Sequence, residues 1–258
     1  MFGYVLYMNS KILQLPPNTF RLVRRYESLK IGRHRISCPY FQNIVGKKAN
    51  PVYVGKGLPS DIEREALRIF REKGKDINKM DRNRLRLYMV MVGLGVDCSG
   101  FVVRILDEFL REKKVGDISD AIKLNFRNLN DKVKFKLKPY TKISSNTLTS
   151  KKNSFKIENI QDIEPGDLIR FGTFHVVVIT RVVKDNKGKV QKIEYHHSTS
   201  DYFEHYGVRK GDILIVKKDK GLEFQNWTEE ERGVNFTFKD YLSVSGNDRG
   251  LFRLNILR

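Results

Sequence analysis

Cysteine, tryptophan and long apolar runs are scarce in this chain of 258 residues. It contains one tryptophan and two cysteines, Cys38 and Cys98, which permit at most one disulfide. A small secreted scaffold held together by many disulfides is therefore excluded. No apolar run approaches the roughly 20 residues that cross a bilayer, so the sequence predicts no transmembrane segment.

The chain also lacks a convincing export signal. Residues 1–8 are apolar, but no basic region precedes them and no small-residue cleavage site follows. This segment is a poor signal peptide. The sequence therefore predicts a protein that is either cytoplasmic or exported by another route.

Acidic residues are under-represented. Lysine and arginine number 49 against 30 aspartates and glutamates, which gives a formal net charge of +19. Such a charge attracts polyanions of any kind, although the basic residues are dispersed over clusters at 21–35, 132–142 and 217–220. We find no RNA-binding signature and no zinc-finger spacing, and a solvated lysine-rich surface is favoured over nucleic-acid binding. The sequence indicates no metal site, no cofactor and no oligomeric state.

The order of the predicted elements favours an α+β fold. Residues 1–58 read as an irregular or strand-like N-terminal extension, and residues 59–258 as one domain with an inserted segment at about 113–160. Helices are predicted over 60–72, 81–92 and the residues after Cys98. A turn leading into a strand is predicted over 164–171, and strands follow at 173–180, 190–195, 212–217 and 251–257, with a helical turn at 228–232. N-terminal helices packed on a central antiparallel sheet are the expected architecture.

Cys98 lies where a loop turns into a helix. Asp97 is a good N-cap residue, and apolar residues follow at helical spacing. A cysteine in the first helical turn is expected to have a lowered pKa, because free N–H groups and the helix dipole favour the thiolate. The alternative is a small buried cysteine with no chemical role.

Two later strands each bring histidine to one end. His175 opens the strand 173–180, and His196 and His197 end the strand that starts at Val190. Alternation places His175 on the face of Val177, and His197 on that of Tyr195. A nucleophile, a base and a residue that orients the base are what covalent cysteine catalysis requires. His197 is the preferred third residue, and His196 is the alternative if the strand contains a bulge.

At this point the sequence resembles the NlpC-type papain-like cysteine peptidases of bacterial cell-wall turnover. The resemblance covers roughly residues 60–200. It rests on the segment DCSGFV at 97–102, PGDL at 165–168, the pair His175-Val176, and YHHST at 195–199. It implies a papain-like fold with Cys98 as nucleophile, His175 as general base and His197 as orienting residue.

The chain departs from that family before the cysteine and after the helix. An aromatic residue and a Gly-Gly pair are expected a dozen positions before the cysteine, whereas residues 85–95 read as an amphipathic helix. Tyr88 is a candidate for the missing aromatic residue, although a core position is favoured. Asp97 and Ser99 are further candidates for contact with substrate or oxyanion, beside the backbone N–H of Cys98. The segment 113–160 is interpreted as a flap or a mobile loop.

Three functions are compatible with these observations. In the first, the Cys98 thiolate cleaves an amide bond, and the resemblance implies a γ-glutamyl or related peptidoglycan-type peptide as substrate. In the second, the same fold and nucleophile transfer the acyl group to an acceptor. In the third, the protein is a non-catalytic basic module that binds a polyanion.

Overall fold

The computed structural model describes residues 10–42, 50–126, 128–202 and 206–258. The segment 1–8 that was considered as a signal peptide lies outside these residues. Within the described ranges the helices are α1 (Pro17–Glu27), α2 (Pro59–Glu72), α3 (Arg82–Met91), α4 (Cys98–Glu112), α5 (Ile118–Ala121), α6 (Leu129–Leu137), α7 (Ser145–Leu148) and α8 (Phe236–Ser243). The strands are β1 (Lys11–Gln14), β2 (Leu29–Ile31), β3 (His34–Ile36), β4 (Ser154–Ile157), β5 (Leu168–Phe171), β6 (His175–Lys184), β7 (Val190–Thr199), β8 (Gly207–Leu214), β9 (Asn226–Trp227) and β10 (Arg249–Leu254).

One antiparallel sheet forms the centre of the molecule, which confirms the predicted α+β class. Its strand order is β4-β10-β5-β6-β7-β8-β9, and β1 pairs with the distal half of β6. The strands β6 and β7 are each ten residues long and pair with an irregularity between Ile179 and Arg181. Because the pairing partner of Val178 is His196, the histidines of both strands lie near the same end of the sheet.

The sheet is buried on both faces. Val176 and Val178 of β6 pack into a core shared with helices α1 to α4. The alternate residues Val177 and Ile179 belong to a second core, which contains Trp227 and residues of the C-terminal region. Burial on both faces explains why β6 reads as a nearly continuous apolar run. No helix among the described residues is long and apolar enough to span a bilayer.

The N-terminal residues contain a helix that the sequence analysis misses. Pro17 occupies the first turn of α1, where its missing N–H costs nothing, and Val23 and Tyr26 are buried. The helix is fixed to α4, since Glu112 accepts hydrogen bonds from the backbone N–H and hydroxyl of Thr19, both at 2.8 Å. The prediction of an irregular N-terminus is therefore wrong over residues 17–27.

The C-terminal region also differs from the prediction. Residues 228–232 do not form a helical turn; Glu231 instead pairs with Val234 in an isolated antiparallel bridge. A helix does occur shortly afterwards, where Asn235 caps α8 by accepting a hydrogen bond from the N–H of Phe238 at 2.8 Å. This region covers the second face of the sheet, with Trp227 and Tyr241 buried there.

The predicted inserted segment has regular structure in its described part, residues 113–126 and 128–160. It contains α5, α6, α7 and the edge strand β4. Phe135, Ile143 and Leu148 are buried in the helical core, and Asp107 of α4 accepts hydrogen bonds from the N–H of Ile118 and the hydroxyl of Tyr140. The segment is thereby held against α4.

Candidate active site

Cys98 is the first residue of α4, as the sequence predicts. The Asp97 carboxylate accepts a hydrogen bond from the N–H of Gly100 at 2.5 Å and so caps the helix. Gly100 is required by a close approach, because a Cβ at this position would lie 2.0 Å from the carbonyl oxygen of Gly55. The glycine of the DCSG segment thus allows the chain at residues 55–56 to cross the first turn of α4.

That crossing brings a buried lysine beside Cys98. The ammonium of Lys56 lies 2.8 Å from Asp97 Oδ1 and also donates to the hydroxyl of Ser99. The Ser99 hydroxyl in turn donates to Asp97 Oδ1 at 3.0 Å. Asp97 and Ser99, the tentative substrate or oxyanion residues, therefore have structural partners of their own. Sequence reasoning misses Lys56, which lies 41 residues before Asp97.

His175 and His197 lie in direct contact. Nε2 of His175 and Nδ1 of His197 are 2.8 Å apart, and both rings are buried. His175 opens β6, and His197 lies diagonally across from it on β7, on the same face of the sheet.

His196 is directed to the opposite face of the sheet. Its Nδ1 lies 2.8 Å from the hydroxyl of Thr180, and its Nε2 lies 3.2 Å from a carboxylate oxygen of Glu27 on α1. The structure thus brings His197 to His175 and does not bring His196 there. Strand alternation predicts this arrangement.

A buried glutamate completes the chain of contacts beyond His197. Both carboxylate oxygens of Glu229 lie 3.1 Å from His197 Nε2. Oε1 accepts a hydrogen bond from Arg209 Nε at 2.8 Å, and Oε2 accepts from the hydroxyls of Tyr195 and Thr237 at 2.8 and 2.9 Å. Burial disfavours ionisation, but His197, Tyr195 and Arg209 together lower the pKa of Glu229 to about 2.

Sequence reasoning does not find Glu229. It lies 32 residues after His197, in a segment predicted as a helical turn. The only signal is its place in a run of three glutamates in an otherwise basic chain. Its contact with His197 depends on the pairing of β8 with β9 next to Trp227.

The carboxylate of Glu229 determines the tautomers along this chain. An ionised carboxylate only accepts, so His197 Nε2 carries the proton that it receives. When both imidazoles are neutral, His197 Nδ1 is an acceptor and takes its hydrogen bond from Nε2–H of His175. His175 Nδ1 is then unprotonated. In this tautomer His175 Nδ1 is free to accept a proton from a thiol, as a general base must. The tautomer is set by the hydrogen-bond network.

The Cys98 sulfur lies against the backbone around His175. The thiol donates to the carbonyl oxygen of Phe174 at 3.6 Å, and the N–H of Val176 also hydrogen-bonds the sulfur. Across the described residues no hydrogen bond joins the sulfur to the imidazole of His175. Cys98 and His175 are therefore neighbours through the backbone at residues 174–176.

The electrostatics of the pair differ from the sequence prediction. Burial and the charge of Asp97 raise the pKa of Cys98 to about 12, outweighing the lowering by Lys56 and two backbone N–H groups. Burial and the neighbouring His197 lower the pKa of His175 well below its usual value. The prediction of a lowered thiol pKa is therefore wrong. The resting pair is a neutral thiol beside a neutral imidazole.

Cys98 and His175 line a common cavity of about 500 Å³. Its wall also includes Asp97 and Ser99, and Ser145 from the inserted segment. The Ser145 hydroxyl is fixed by a hydrogen bond to the carbonyl oxygen of Thr173 at 2.8 Å. The cavity is thus formed jointly by the helix start, the start of β6 and the inserted segment.

Tyr40 and Phe174 are the aromatic residues that line the cavity among the described residues. Tyr40 pairs with Val96 in a short parallel bridge just before the nucleophile helix, and its hydroxyl donates to Gln42 at 3.1 Å. Tyr88 instead packs on Phe70 with ring centroids 4.8 Å apart, against the helical core, and does not line the cavity. The core position favoured for Tyr88 is thus the observed one. No sequence spacing relates Tyr40 to Cys98.

Two aspartates make part of the cavity wall acidic. Asp201 and Asp240 are hydrogen-bonded to each other, and burial together with Asp201 raises the pKa of Asp240 to about 6. With a pKa of about 6, the Asp240 carboxyl is mostly ionised near neutral pH, and in the described part of the chain no salt bridge joins either aspartate to a cation. This end of the cavity favours a positively charged group.

The PGDL segment has a structural role. Gly166 adopts φ +96°, and a Cβ there would lie 2.5 Å from the ring of Phe109 on α4. Asp167 binds Arg253 of β10 through two contacts of 2.7 and 2.8 Å. The segment therefore fixes β5 to α4 and to β10 and does not contact the cavity.

Comparisons with known proteins add nothing to these observations. No family model matches the chain, and no curated protein or solved structure matches it. Over the described residues, no group of three or more histidine, cysteine, aspartate or glutamate side chains is arranged to hold a metal ion.

Proposed function

We propose that this protein is a papain-like cysteine hydrolase that cleaves an amide bond with Cys98 as nucleophile. The observation that supports it most is the hydrogen-bonded series His175, His197 and Glu229, which ends beside a cysteine at a helix start in one cavity. A buried cysteine without a chemical role needs no such series. His175 is the general base and His197 the residue that orients it.

The proposed reaction starts from the neutral pair. As the substrate carbonyl enters, the Cys98 thiol gives its proton to His175 Nδ1 and the sulfur bonds to the carbonyl carbon. The imidazolium that forms is stabilised by His197 and the carboxylate of Glu229. His175 then returns the proton to the departing amine as the C–N bond breaks. Water hydrolyses the thioester and restores the thiol, with His175 again acting as base.

The proposed substrate is a peptidoglycan-type peptide, as the family resemblance implies. The charges of the cavity support a substrate with a primary ammonium, because Asp201 and Asp240 line the same cavity as Cys98 and form no salt bridge with a cation among the described residues. Asp97 does not share this role, since Lys56 neutralises it. The basic exterior of the protein and the acidic end of the cavity thus differ in sign.

Cys98→Ala is the direct test. Purified wild type and variant are incubated with short peptides that contain a γ-glutamyl bond to a diamino acid, and products are identified by mass spectrometry. We expect cleavage by wild type and a loss of at least about 10³-fold in the variant, as for removal of a covalent nucleophile. Cys38→Ala is the matched control, because Cys38 is buried away from the cavity.

Two outcomes would contradict parts of the proposal. Equal hydrolysis by wild type and Cys98→Ala would exclude the nucleophile. Product that depends on an added amine, in place of the free acid, would identify acyl transfer as the reaction on the same fold.

A further inference from the structure

Helix α6 carries an apolar stripe on its outer surface. Leu129, Val133 and Leu137 recur every four residues and are 73, 51 and 75% exposed. Phe135 is the buried residue of the helix and lies on the opposite side, where its ring packs against Phe126. The stripe is therefore not the face that attaches the helix to the protein. Three adjacent exposed aliphatic side chains are unfavourable in water unless a partner covers them.

Lysines flank this stripe on both sides. At 100° per residue, Lys132 and Lys136 lie along one edge of the stripe and Lys134 along the other, and Lys138 follows as the C-cap residue. All four are exposed. Lys136 pairs with Asp120, whereas the other three ammonium groups have no carboxylate partner within the described ranges. The acidic residue of the helix, Asp131, lies toward the Phe135 side.

We propose that α6 is a docking surface for an anionic lipid membrane. A short helix that lies in the plane of the interface buries an apolar stripe among the acyl chains, while lysines at its edges reach the phosphate groups. The α6 surface has both parts in this order. Its nine residues span about 13.5 Å, and Asn128 caps its first turn by accepting a hydrogen bond from the N–H of Asp131 at 2.9 Å.

Other occupants fit the same surface less well. A nucleic acid would use the lysines but leave the aliphatic stripe uncovered, since phosphate contacts require only charge. A second copy of the chain would cover the stripe but oppose the lysine rows of the two helices, and like charges at close distance are unfavourable. The lipid surface alone satisfies the stripe and the charges together. This inference does not depend on the chemistry of Cys98.

Vesicle sedimentation tests the proposal. The full-length protein is mixed with vesicles of phosphatidylcholine containing phosphatidylglycerol, or of phosphatidylcholine alone, and the bound fraction is measured over lipid concentration. We expect binding to the anionic vesicles and at least about tenfold weaker binding to the neutral ones, because each lysine near an anionic surface contributes.

Variants of the stripe separate docking from general charge attraction. The triple variant L129S/V133S/L137S keeps every lysine and changes only exposed positions, and we expect at least about tenfold weaker binding to anionic vesicles. The matched control is L87S/M91S on α3, at positions 56 and 80% exposed, which should bind as wild type. A charge variant, K132Q/K134Q/K138Q, should also weaken binding, whereas K187Q/K189Q in the turn between β6 and β7 should have little effect.

Several results would overturn the proposal. Absence of binding to anionic vesicles would exclude it, as would wild-type binding by L129S/V133S/L137S, since the attraction would then be purely electrostatic. A concentration-dependent dimer in light scattering that the same variant abolishes would assign the stripe to a second copy. Tight binding to single-stranded nucleic acid that survives the serine substitutions would assign the lysines to a different polyanion.

Discussion

The two halves of the candidate site are built differently. On the histidine side, Glu229 accepts hydrogen bonds from four side chains and fixes His197, which fixes His175. On the cysteine side, the sulfur contacts backbone groups, and the ordered polar cluster of Lys56, Asp97 and Ser99 lies behind it. His175 is therefore oriented by side chains that come from distant parts of the sequence, whereas Cys98 is positioned by a local helix cap and one crossing segment.

The largest effect is expected on the histidine side, when the buried carboxylate of Glu229 is removed. Glu229→Ala should lower the free energy of unfolding by about 3–5 kcal/mol, because Arg209 and His197 lose a buried partner. The matched control is Glu230→Ala, since this neighbouring side chain is exposed. Urea unfolding followed by far-UV circular dichroism provides the measurement. Equal destabilisation by the two variants would contradict the structure.

The same carboxylate gives this effect a defined pH dependence. Its folded-state pKa of about 2 is below the usual value of 4.5, so its stabilisation is complete above about pH 4.5 and is lost as the pH falls toward 2. The difference in stability between wild type and Glu229→Gln should therefore be largest near neutral pH and shrink below about pH 4.

The next largest effect distinguishes the two adjacent histidines. His197→Ala should lower kcat by about 100-fold, since His175 loses the partner that fixes its tautomer and orientation. His196→Ala should leave kcat within a few-fold of wild type and act on stability, because His196 contacts Thr180 and Glu27 on the other face. Kinetics on any cleaved peptide, together with thermal unfolding, separate the two. A larger loss of kcat in His196→Ala would reverse the proposed roles.

How much of this arrangement can be predicted from the sequence depends on how far apart in the sequence the contacting residues lie. The cap Asp97, the helix start at Cys98 and the strand phase of His175 and His197 are local properties, and each is where the sequence predicts it. Lys56, Tyr40 and Glu229 reach the site only through long-range packing, and their neighbours in sequence give no period or motif. The helix α1 is missed for a related reason, since its buried face is short and its arginines dominate the composition.

The thiol pKa shows why even a local property can fail. A helix start favours a thiolate when the cysteine is solvated, but burial of Cys98 reverses the balance. Burial results from the whole fold, because the turn at Phe174 contacts the sulfur and the strand that follows it belongs to the central sheet. The motif thus predicts the position of Cys98 but not its protonation state.

A smaller effect is expected on the cysteine side when Lys56 is replaced. Lys56 lowers the pKa of Cys98, so Lys56→Met should raise it further and slow iodoacetamide alkylation of Cys98 by about tenfold at pH 8. Lys142→Met, at an exposed position, is the control. In wild type the rate should rise about tenfold per pH unit between 7 and 9, as expected for a thiol with a pKa near 12. A plateau over this range would indicate a thiolate–imidazolium pair instead.

The smallest effect concerns the acidic end of the cavity. The pKa of Asp240 is about 6, so at pH 7.5 its carboxylate is ionised beside Asp201 and attracts a substrate ammonium. Asp240→Asn should raise KM for an ammonium-bearing peptide by about three- to tenfold at pH 7.5, with kcat little changed, because the group is not part of the reacting series. Below pH 6 the wild-type carboxyl is itself protonated, so the difference in KM should shrink there.

Asp219→Asn, at an exposed position, should leave KM unchanged at both pH values. If Asp240→Asn raises KM equally for a peptide without the ammonium, Asp240 contributes to the shape of the cavity, and its charge does not select the substrate.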